Sequence, residues 1–392
     1  MQLSQDALNE LVLIRRKIHE NPELCYREYK TAALVAEQLT KLGIPFETAV
    51  ANTHTGIIAT LTKGDGPTIM LRADMDALPL NEQTQLPFSS KTENVMHACG
   101  HDVHTTMLLG SAMLLKDAAF SGTVKFVFQP AEESAGDDPE KKSGGQRIAE
   151  SGLLDGVSAA VGLHVHPLLP AGKISYCPGN ALASVGNFKV KITGKAGHAG
   201  AAPHLSIDPI IVANFAVMAI QTIVSRSIDP VQPAVFSVTG INSGVAINIV
   251  PEVATFEGTI RALDLDVYNT INVRLKQILD GVCLAFGASY ELEYTMNYPS
   301  TFNDAGLHKQ LQQPLEKVFG AANVVEVAPI MGSEDFAFYS RLMPSMFYFI
   351  GAQHTTDETY FVHHPKMVVN EACIPLGAKF LAEAAVALLV KK

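Results

Sequence analysis

The chain has 392 residues, of which 47% are hydrophobic and 17% are charged, and its formal net charge is −10. This length exceeds what one ordinary hydrophobic core organises, so we expect two domains, and the composition is that of a globular rather than a disordered chain. The acidic balance and the lack of a Lys/Arg block exclude nucleic acid as an expected partner.

The cysteines and the N-terminus bear on the compartment. The five cysteines, at positions 25, 99, 177, 283 and 373, are odd in number and dispersed, which is not the pattern of a disulfide framework. The N-terminus has no basic segment followed by an apolar one, so we predict no signal peptide. No uninterrupted apolar run approaches the roughly twenty residues that span a bilayer. We therefore expect a cytoplasmic protein without membrane contact.

The first third of the chain alternates between helical and strand-like segments. Apolar residues at helical spacing predict helices near 5–19, 29–42 and 105–115. Short apolar runs bounded by turn residues predict strands over 55–61, 68–73 and 122–128. This alternation predicts a mostly parallel sheet covered by helices.

A dense group of metal-binding residue types occupies positions 96–104 and includes Cys99 and His101. Alternate residues of an extended segment share a face, so these two side chains can point into one pocket. Thiolate and imidazole suit zinc, manganese, cobalt or nickel, whereas calcium and magnesium prefer oxygen ligands. The adjacent Glu132 and Glu133 follow the strand predicted over 122–128, and one can bind metal while the other takes a proton from water. The pattern indicates a metallohydrolase.

The pattern changes after residue 180. Strand, helix, strand, strand, helix and strand are predicted in turn over 186–193, 209–225, 234–242, 254–262, 267–286 and 289–294. This order is the β-α-β-β-α-β arrangement of ferredoxin-like domains. The style of the first domain resumes near residue 297. We therefore predict an α/β catalytic domain formed by 1–182 and 296–392, with a ferredoxin-like α+β domain inserted at 183–295.

With these residues in place, the chain resembles the M20 family of metallopeptidases and amidohydrolases. It looks closest to the branch that hydrolyses N-acyl amino acids, which includes hippurate hydrolase and the auxin-conjugate hydrolases. Ten segments carry the resemblance in order: 15–23, 72–79, 96–104, 129–133, 162–164, 194–199, 248–251, 258–261, 331–336 and 363–365. One such segment alone would be weak evidence for the family, but ten segments in the family's order are specific evidence for it.

The resemblance implies a site for two divalent metal ions, with manganese, zinc, cobalt or nickel as the candidates. Its five ligands would be Cys99, His101, Glu133, His164 and His363, with the cysteine bridging the two ions. Glu133 and His363 would hold one ion, and His101 and His164 the other.

Three more residues take implied roles around those ions. Glu132 would be the general base, since consecutive side chains diverge and it cannot easily join the ion of its neighbour. Asp74 and Asp102 would lie behind the ligands and fix the orientation and tautomer of their imidazoles.

The resemblance also gives the inserted domain a part in the site. His198, in a loop rich in glycine and alanine, would reach the active site of a neighbouring subunit and stabilise a developing oxyanion. This implies a homodimer or a higher homo-oligomer. Asn248 and Arg261 would bind the substrate's carboxylate, with further contacts from Gly332 and Ser333. A surface ion pair on a strand remains an equal alternative for Arg261.

Some assignments compete with plainer ones. His97 and His104 flank the metal-binding run and could be ligands, but the family pattern makes them supporting or structural residues. The pattern favours His363 over His364, because the family's histidine lies two residues before the proline. The polar segment 134–145 departs from the family's short glycine-rich link, and it could either shape the substrate pocket or be a solvated loop without a role.

The predicted function is metal-dependent cleavage of the amide bond of an N-acyl amino acid, which gives a carboxylic acid and a free amino acid. A carboxypeptidase or dipeptidase acting on a short peptide is the alternative within the same chemistry. A catalytically silent metal-binding scaffold is the alternative from another class, and the presence of Glu132 argues against it.

Overall fold

The computed structural model describes residues 1–354 and 358–389. The α-helices are α1 (Gln5–Glu20), α2 (Tyr29–Leu42), α3 (His101–Asp117), α4 (Gly144–Glu150), α5 (Pro209–Ile220), α6 (Thr222–Ser227), α7 (Leu265–Phe286), α8 (Ala305–Phe319), α9 (Ala337–Ser340) and α10 (Cys373–Leu389). Short 3-10 turns lie at Val50–Asn52, Pro203–Leu205 and Ala321–Asn323.

The β-strands follow in chain order. They are β1 (Phe46–Thr48), β2 (Ile57–Lys63), β3 (Thr68–Asp74), β4 (Gly122–Gln129), β5 (Val157–Pro170), β6 (Ile174–Tyr176), β7 (Gly179–Leu182), β8 (Ser184–Thr193), β9 (Gly197–His198), β10 (Ala234–Ser243), β11 (Ile249–Val250), β12 (Val253–Ala262), β13 (Ser289–Tyr298), β14 (Thr301–Asn303), β15 (Val324–Glu326) and β16 (Ser345–Gln353).

The chain divides into two compact units. The first comprises Met1–Gly179, Phe302–Ala328 and Asp335–Lys392, and the second comprises Asn180–Thr301 and Pro329–Glu334. The predicted insertion, 183–295, lies inside the second unit. That unit also takes in Pro329–Glu334, which the sequence prediction placed in the catalytic domain.

The first unit contains an eight-stranded sheet in the order β1-β2-β4-β3-β5-β16-β6-β15. Strand β3 runs parallel to both β4 and β5, and β5 runs parallel to β16, so the middle of the sheet is parallel. Buried residues such as Ile69, Phe126 and Val161 form its core. Helix α3 packs against α1 and α10. Local signals set the helix ends: Ser4 caps α1 by accepting from Ala7 N, and Gly43 ends α2 in the left-handed conformation.

The second unit contains a four-stranded sheet in the order β10-β12-β8-β13, with antiparallel pairing throughout. Helices α5 and α7 pack on β12 and on each other. Asp264 caps α7 at its start, and Gly287 ends it with φ 70°. The element order β8, α5, α6, β10, β12, α7, β13 is the predicted β-α-β-β-α-β arrangement, with its first helix split in two.

One segment of the second unit is long and apolar enough to cross a membrane by length and composition alone. It is Pro209–Ser227, which covers α5 and α6, and 28% of its most apolar window is buried. Asn214 and Gln221 interrupt it. One such segment is weak support for a membrane span, since the core helices of soluble proteins pass the same test.

The predicted fold class is confirmed: the first unit is a mixed α/β structure with a central, mostly parallel sheet. One local prediction was wrong. The helix expected over 105–115 is longer, because α3 begins at His101. Cys99 and His101 therefore do not belong to one extended segment, and their convergence has another cause, described next.

Candidate active site

The ends of neighbouring parallel strands bring the predicted metal ligands together. Strand β3 ends at Asp74, β4 ends at Gln129 shortly before Glu132 and Glu133, and β5 carries His164. Because β3 is parallel to both β4 and β5, their carboxyl ends lie at the same edge of the sheet. This edge is the usual position of a site in an open α/β sheet.

A left-handed turn at Gly100 places Cys99 and His101. Gly100 has φ 92°, and a Cβ atom at this position would collide with Cγ2 of Val165. Only glycine meets both requirements, so the chain reverses here and enters α3 with His101 as its first residue. The turn, not an extended strand, points both side chains into one site.

Two groups of donor atoms meet at Cys99. One group comprises Cys99, His101 and His164, and the other comprises Cys99, Glu133 and His363, with the ligand atoms of each group within 4.8 Å of one another. These are the two ligand sets that the family resemblance implies, with the cysteine common to both. Oxygen, nitrogen and sulfur donors of this kind suit a transition-metal or zinc ion.

Hydrogen bonds fix which nitrogen of each histidine faces the centre. His101 Nδ1 lies 3.2 Å from Asp76 Oδ1, and His164 Nδ1 lies 2.7 Å from the carbonyl oxygen of Val165. Each Nδ1 therefore carries a proton, and each Nε2 is the ring nitrogen that faces the other donor atoms. His164 Nε2 lies 3.3 Å from Cys99 Sγ. Among the described residues, His101 Nε2 and Glu133 Oε1 are buried without a hydrogen-bond partner.

The protonation of these groups reflects concentrated negative charge. Burial lowers the pKa of His101, but the carboxylates of Asp74 and Asp76 outweigh burial and raise it to about 10. Burial, together with the charges of Glu133 and Glu132, raises the pKa of the Cys99 thiol well above its ordinary value. Such a pocket favours cations, and a bound metal would displace the protons of the Cys99 thiol and of His101 Nε2.

Glu132 lies beside both donor groups but makes different contacts. Its Oε1 accepts from the backbone N–H of Asp335 at 3.3 Å, and its Oε2 lies 3.9 Å from His101 Nε2. Glu133 Oε1 lies at the same distance, 3.9 Å, from His101 Nε2, and it also lies 3.4 Å from His363 Nε2. The two consecutive carboxylates therefore share His101 as a neighbour, and they differ in their second contacts, which are Asp335 N for Glu132 and His363 for Glu133.

The carboxylate that holds a ligand imidazole by hydrogen bonding differs from the prediction. Asp76 contacts His101, whereas Asp74 Oδ1 contacts His104 Nδ1 at 2.6 Å and its Oδ2 lies 3.8 Å from His101 Nε2. The expectation for Asp102 was wrong: its Oδ2 lies 2.7 Å from His19 Nδ1 and 2.9 Å from Arg15 Nε. One helical step after His101 rotates Asp102 by about 100°, towards α1. Asp76 could have been found two residues after Asp74, just beyond the end of β3.

The structure also separates the competing histidines. His363 reaches the second donor group, and its backbone is left-handed with φ 67°. His364 instead stacks on Tyr360, with 4.1 Å between the ring centroids. Both nitrogens of His104 are occupied, since Nδ1 bonds Asp74 and Nε2 accepts from Val165 N at 2.8 Å. His104 is therefore a supporting residue.

The segment 134–145 is held in place by its own contacts. Asp138 accepts from Arg147 through both carboxylate oxygens, and Tyr26 Oη donates to the carbonyl of Lys142 at 2.7 Å. At its end, Gly145 N donates to Asp335 Oδ2 at 2.8 Å. The segment is thus anchored at Asp138, Lys142 and Gly145, while Ser134, Asp137 and Glu140 are exposed to solvent.

The second unit brings two of its predicted residues side by side. Strand β9 pairs with β11 so that His198 lies opposite Ile249, and Ala199 N donates to the carbonyl of Asn248 at 3.0 Å. His198 and Asn248 are both exposed. His198 Nδ1 accepts from the N–H groups of Gly200 and Ala201 at 3.2 and 3.1 Å. A neutral His198 therefore carries its proton on Nε2 and can donate from it.

The remaining predicted substrate-binding residues also lie in the second unit. Arg261 is half-buried on β12, and its Nη1 donates to Thr259 Oγ1 and to the carbonyl of Ile260. Burial lowers the pKa of its guanidinium. The carbonyl of Gly332 accepts from Ala183 N at 2.8 Å, and Ser333 is partly exposed beside it. The contacts of Arg261 are within its own strand, so the alternative of a surface ion pair finds no support among the described residues.

Comparison with known proteins identifies the family. The profile of peptidase family M20/M25/M40 matches residues 70–387. Thermostable carboxypeptidase 2 of Saccharolobus solfataricus is 40% identical over 94% of this chain and 92% of its own length. N-acetylcysteine deacetylase of Bacillus subtilis is 38% identical over 97% of both chains. The crystal structure of the Bacillus subtilis YXEP protein, described as a dinuclear metal-binding peptidase of family M20, superposes with a TM-score of 0.84. It is 33% identical and covers 98% of this chain and 99% of its own.

The chain belongs to peptidase family M20/M25/M40, and the resemblance drawn from its motifs is confirmed. It is a hydrolase of that family.

Proposed function

We propose that the chain hydrolyses the amide bond of N-acyl amino acids with the help of two divalent cations. The convergence of two donor groups on one buried cysteine, with the additional carboxylate of Glu132 beside them, carries this proposal. The similarity to a deacetylase of an N-acyl amino acid and to a dinuclear peptidase supports it.

The residues present fit a pair of cations. A thiol, three imidazoles and a carboxylate form the donor set, and the buried atoms His101 Nε2 and Glu133 Oε1 have no hydrogen-bond partner within the described residues. Manganese, zinc, cobalt and nickel are the candidates that this set favours. Such ions, when bound, polarise a carbonyl group and lower the pKa of a coordinated water to about 7.

In this proposal Glu132 moves the protons. Its carboxylate takes a proton from the attacking water and then delivers it to the nitrogen of the leaving amino acid, acting as base and acid in turn. The contact with Asp335 N orients the side chain, and burial keeps competing water away from it. The carboxylic acid and the free amino acid are the products.

The second unit supplies substrate contacts in the same proposal. His198 donates a hydrogen bond from Nε2 to the oxyanion, and the protonation imposed by Gly200 N and Ala201 N supports that role. Asn248 and Arg261 bind the amino acid's carboxylate, and Gly332 and Ser333 add backbone and hydroxyl contacts to the substrate.

We further propose that the protein is a homodimer in which His198 serves the partner's site. Exposed apolar side chains on α5 support an interface on the second unit: Ile211, Phe215 and Met218 are 47%, 51% and 70% exposed. Faces of this kind are typical of surfaces that another chain covers.

A carboxypeptidase activity is the second candidate, because one relative of equal similarity is named as a carboxypeptidase. Substrates that differ only at the α-amine separate the two. N-acetyl-L-methionine and N-benzoylglycine lack a free α-amine, whereas the dipeptide Ala-Ala carries one.

A hydrolysis assay on purified protein tests the proposal. The protein is loaded with manganese or zinc and incubated separately with N-acetyl-L-methionine, N-benzoylglycine and Ala-Ala. The free amino groups that hydrolysis produces are then measured. We expect turnover of the acylated substrates that chelator removes and added metal restores. Turnover of Ala-Ala alone would favour the peptidase, and no metal-dependent turnover of any of the three would contradict both candidates.

A further inference from the structure

A buried carboxylate that the proposed chemistry does not use lies behind the two glutamates. Glu28 is fully buried. Its Oε1 accepts from the backbone N–H groups of Tyr26 and Ala131, both at 2.9 Å. Its Oε2 accepts from Thr55 Oγ1 at 2.6 Å. Glu28 therefore connects the start of α2 with the residue immediately before Glu132.

Ala131 has an unfavourable backbone conformation at that point. Its φ is 50°, in the left-handed region that an alanine rarely adopts. Its peptide groups are held from two sides, since its N–H donates to Glu28 and its carbonyl accepts from Gly144 N at 3.0 Å. Left-handed residues persist only where the surroundings compensate for them.

A second buried carboxylate takes the next two N–H groups. Glu132 N donates to Asp76 Oδ1 and Glu133 N donates to Asp76 Oδ2, each at 3.0 Å. Three consecutive backbone N–H groups thus end on two carboxylates. Asp76 fixes the peptide groups of Glu132 and Glu133, while Glu28 fixes the turn at Ala131 that sets the direction in which the segment leaves β4.

We propose that Glu28 is a positioning residue for the two glutamates, acting through the left-handed turn at Ala131. This inference rests on the proposed function, because it assumes that Glu132 and Glu133 serve the reaction and the metals. It concerns the direction in which these two side chains point. The described hydrogen bonds of the Glu28 side chain go to Tyr26, Thr55 and Ala131 and not to the side chains of Glu132 or Glu133. A displacement of about 1 Å at such a group can cost about 10²-fold in rate.

The role requires hydrogen-bond acceptors at Glu28 but not a negative charge. Burial and the neighbouring charge of Asp76 raise the pKa of Glu28 to about 8. A glutamine can keep its amide oxygen on Tyr26 N and Ala131 N. Its NH₂ group can donate to Thr55 Oγ1, whose hydroxyl can turn to the carbonyl of Thr53, 3.3 Å away. Glu28→Gln should therefore preserve the turn, whereas Glu28→Ala removes both acceptors.

The experiment uses four variants and one control. Glu28→Gln, Glu28→Ala, Ala131→Gly and the Glu28→Ala/Ala131→Gly double variant are compared with Glu383→Ala. Glu383 is a nearly buried carboxylate that pairs with the N-terminus and Lys317, and it has no place in the proposed site. We measure kcat and KM on N-acetyl-L-methionine, the affinity of metal-depleted protein for zinc by competition with a chromophoric chelator, and the thermal midpoint.

The expected results separate positioning from general stability. Glu28→Ala should lower kcat by about 10²-fold and weaken zinc binding, with KM changing less than kcat. Glu28→Gln should stay within a few-fold of wild type. Glycine adopts the left-handed conformation without the penalty of an alanine, so Ala131→Gly should recover about ten-fold of the loss in the double variant. Glu383→Ala should lower the thermal midpoint and leave kcat unchanged.

Two results would overturn the inference. If Glu28→Ala matches Glu383→Ala, with a lower midpoint but unchanged kcat and zinc affinity, Glu28 is a stabilising residue only. If Ala131→Gly recovers nothing, Glu28 does not act through that turn. If Glu28→Ala fails to fold, Thr55→Val takes its place, because it removes the hydroxyl contact to Glu28. It should give a smaller loss of kcat and of zinc affinity, and Ala131→Gly should again reduce that loss. If wild type hydrolyses nothing, the proposed function fails, while the zinc affinities still test the positioning.

Discussion

Cys99 is the residue on which both donor groups depend. Its sulfur belongs to the group with His101 and His164 and to the group with Glu133 and His363. Burial and nearby carboxylates keep its thiol protonated when no cation is present. A cation bound here would have to displace the thiol proton, and the thiolate would offset part of the positive charge held by either group.

Substitution of single ligands should change metal stoichiometry in different ways. Cys99→Ala should weaken the binding of both ions. The loss of affinity should exceed the factor of about 10–100 that follows from losing a residue that only supports a ligand. His363→Ala should remove one ion and spare the other, because His363 belongs to one group. The metal bound per chain, measured by mass spectrometry after dialysis, checks this. Cys177→Ala, which lies outside both groups, is the control. Two ions retained by Cys99→Ala would contradict the shared-sulfur arrangement.

Loss of the carboxylate at Glu132 should affect turnover without affecting metal. Glu132→Gln is almost isosteric but cannot take the proton of water, and loss of a general base costs about 10²–10⁴-fold. We expect kcat to fall in that range while metal content and thermal midpoint stay near wild type. Glu140→Gln, on the neighbouring loop, is the matched control and should keep full turnover. A Glu132→Gln variant with more than a tenth of wild-type kcat would assign the proton transfer to another group.

The grouping of the candidate ligands could be predicted from the sequence, but the contacts of the residues behind them could not. Cys99, His101 and Glu133 are recognisable because their residue types suit a metal and follow predicted strand ends. Asp102 was placed behind the ligands by its position next to His101, yet one helical step turns it to Arg15 and His19. Glu28 gives no signal at all, because its contact with Ala131 joins residues 103 positions apart.

At the level of elements, the entry into α3 decides the geometry of the site. The left-handed Gly100 reverses the chain directly between the candidate ligands Cys99 and His101, and the following helix begins at His101. The sequence analysis started this helix at residue 105, since periodicity alone does not show where a helix begins inside a motif rich in polar residues. The predicted convergence of Cys99 and His101 was right, but the reason given for it was wrong.

Gly100→Ala tests that turn. The left-handed conformation costs an alanine about 1 kcal/mol, and overpacking against Val165 adds about 1–3 kcal/mol. We expect lower stability of the metal-depleted protein in urea, together with weaker metal binding, because both flanking ligands shift. Gly43→Ala is the control: its φ is 68°, and a Cβ there meets nothing within 4 Å. Gly43→Ala should lose only the stability that the left-handed conformation costs, and it should bind metal normally. Equal behaviour of the two variants would mean that the Val165 contact is unimportant.

At the scale of the whole molecule, the order of helices and strands predicted a mostly parallel sheet in the first unit and a ferredoxin-like sheet in the second. It did not predict which unit each chain segment belongs to. The β-α-β-β-α-β order is local in sequence, so it could be recognised over 186–294. The assignment of Pro329–Glu334 to the second unit could not, because it depends on contacts such as those of Ala183 N with Gly332 O and Ile330 N with Ala181 O. Contacts between residues some 150 positions apart leave no periodic trace in the sequence.

The proposed shared active site leads to the last prediction. Removal of an oxyanion donor costs about 10²–10³-fold in kcat, so His198→Ala should be severely impaired while it binds metal normally. Mixing it with Glu132→Gln, under conditions in which subunits exchange, should restore activity. In a mixed dimer, one of the two sites then combines an intact Glu132 with an intact His198 of the partner subunit.

The recovered activity should approach a quarter of the wild-type value in an equimolar mixture, because about half of the dimers are mixed and each carries one intact site out of two. Each variant mixed with itself is the control, and subunit exchange is verified by native mass spectrometry of differently tagged chains. Recovery requires that His198 act across a subunit boundary, since within one chain each variant lacks one of the two groups. Absence of recovery despite verified exchange would place His198 in its own chain's site or outside the reaction.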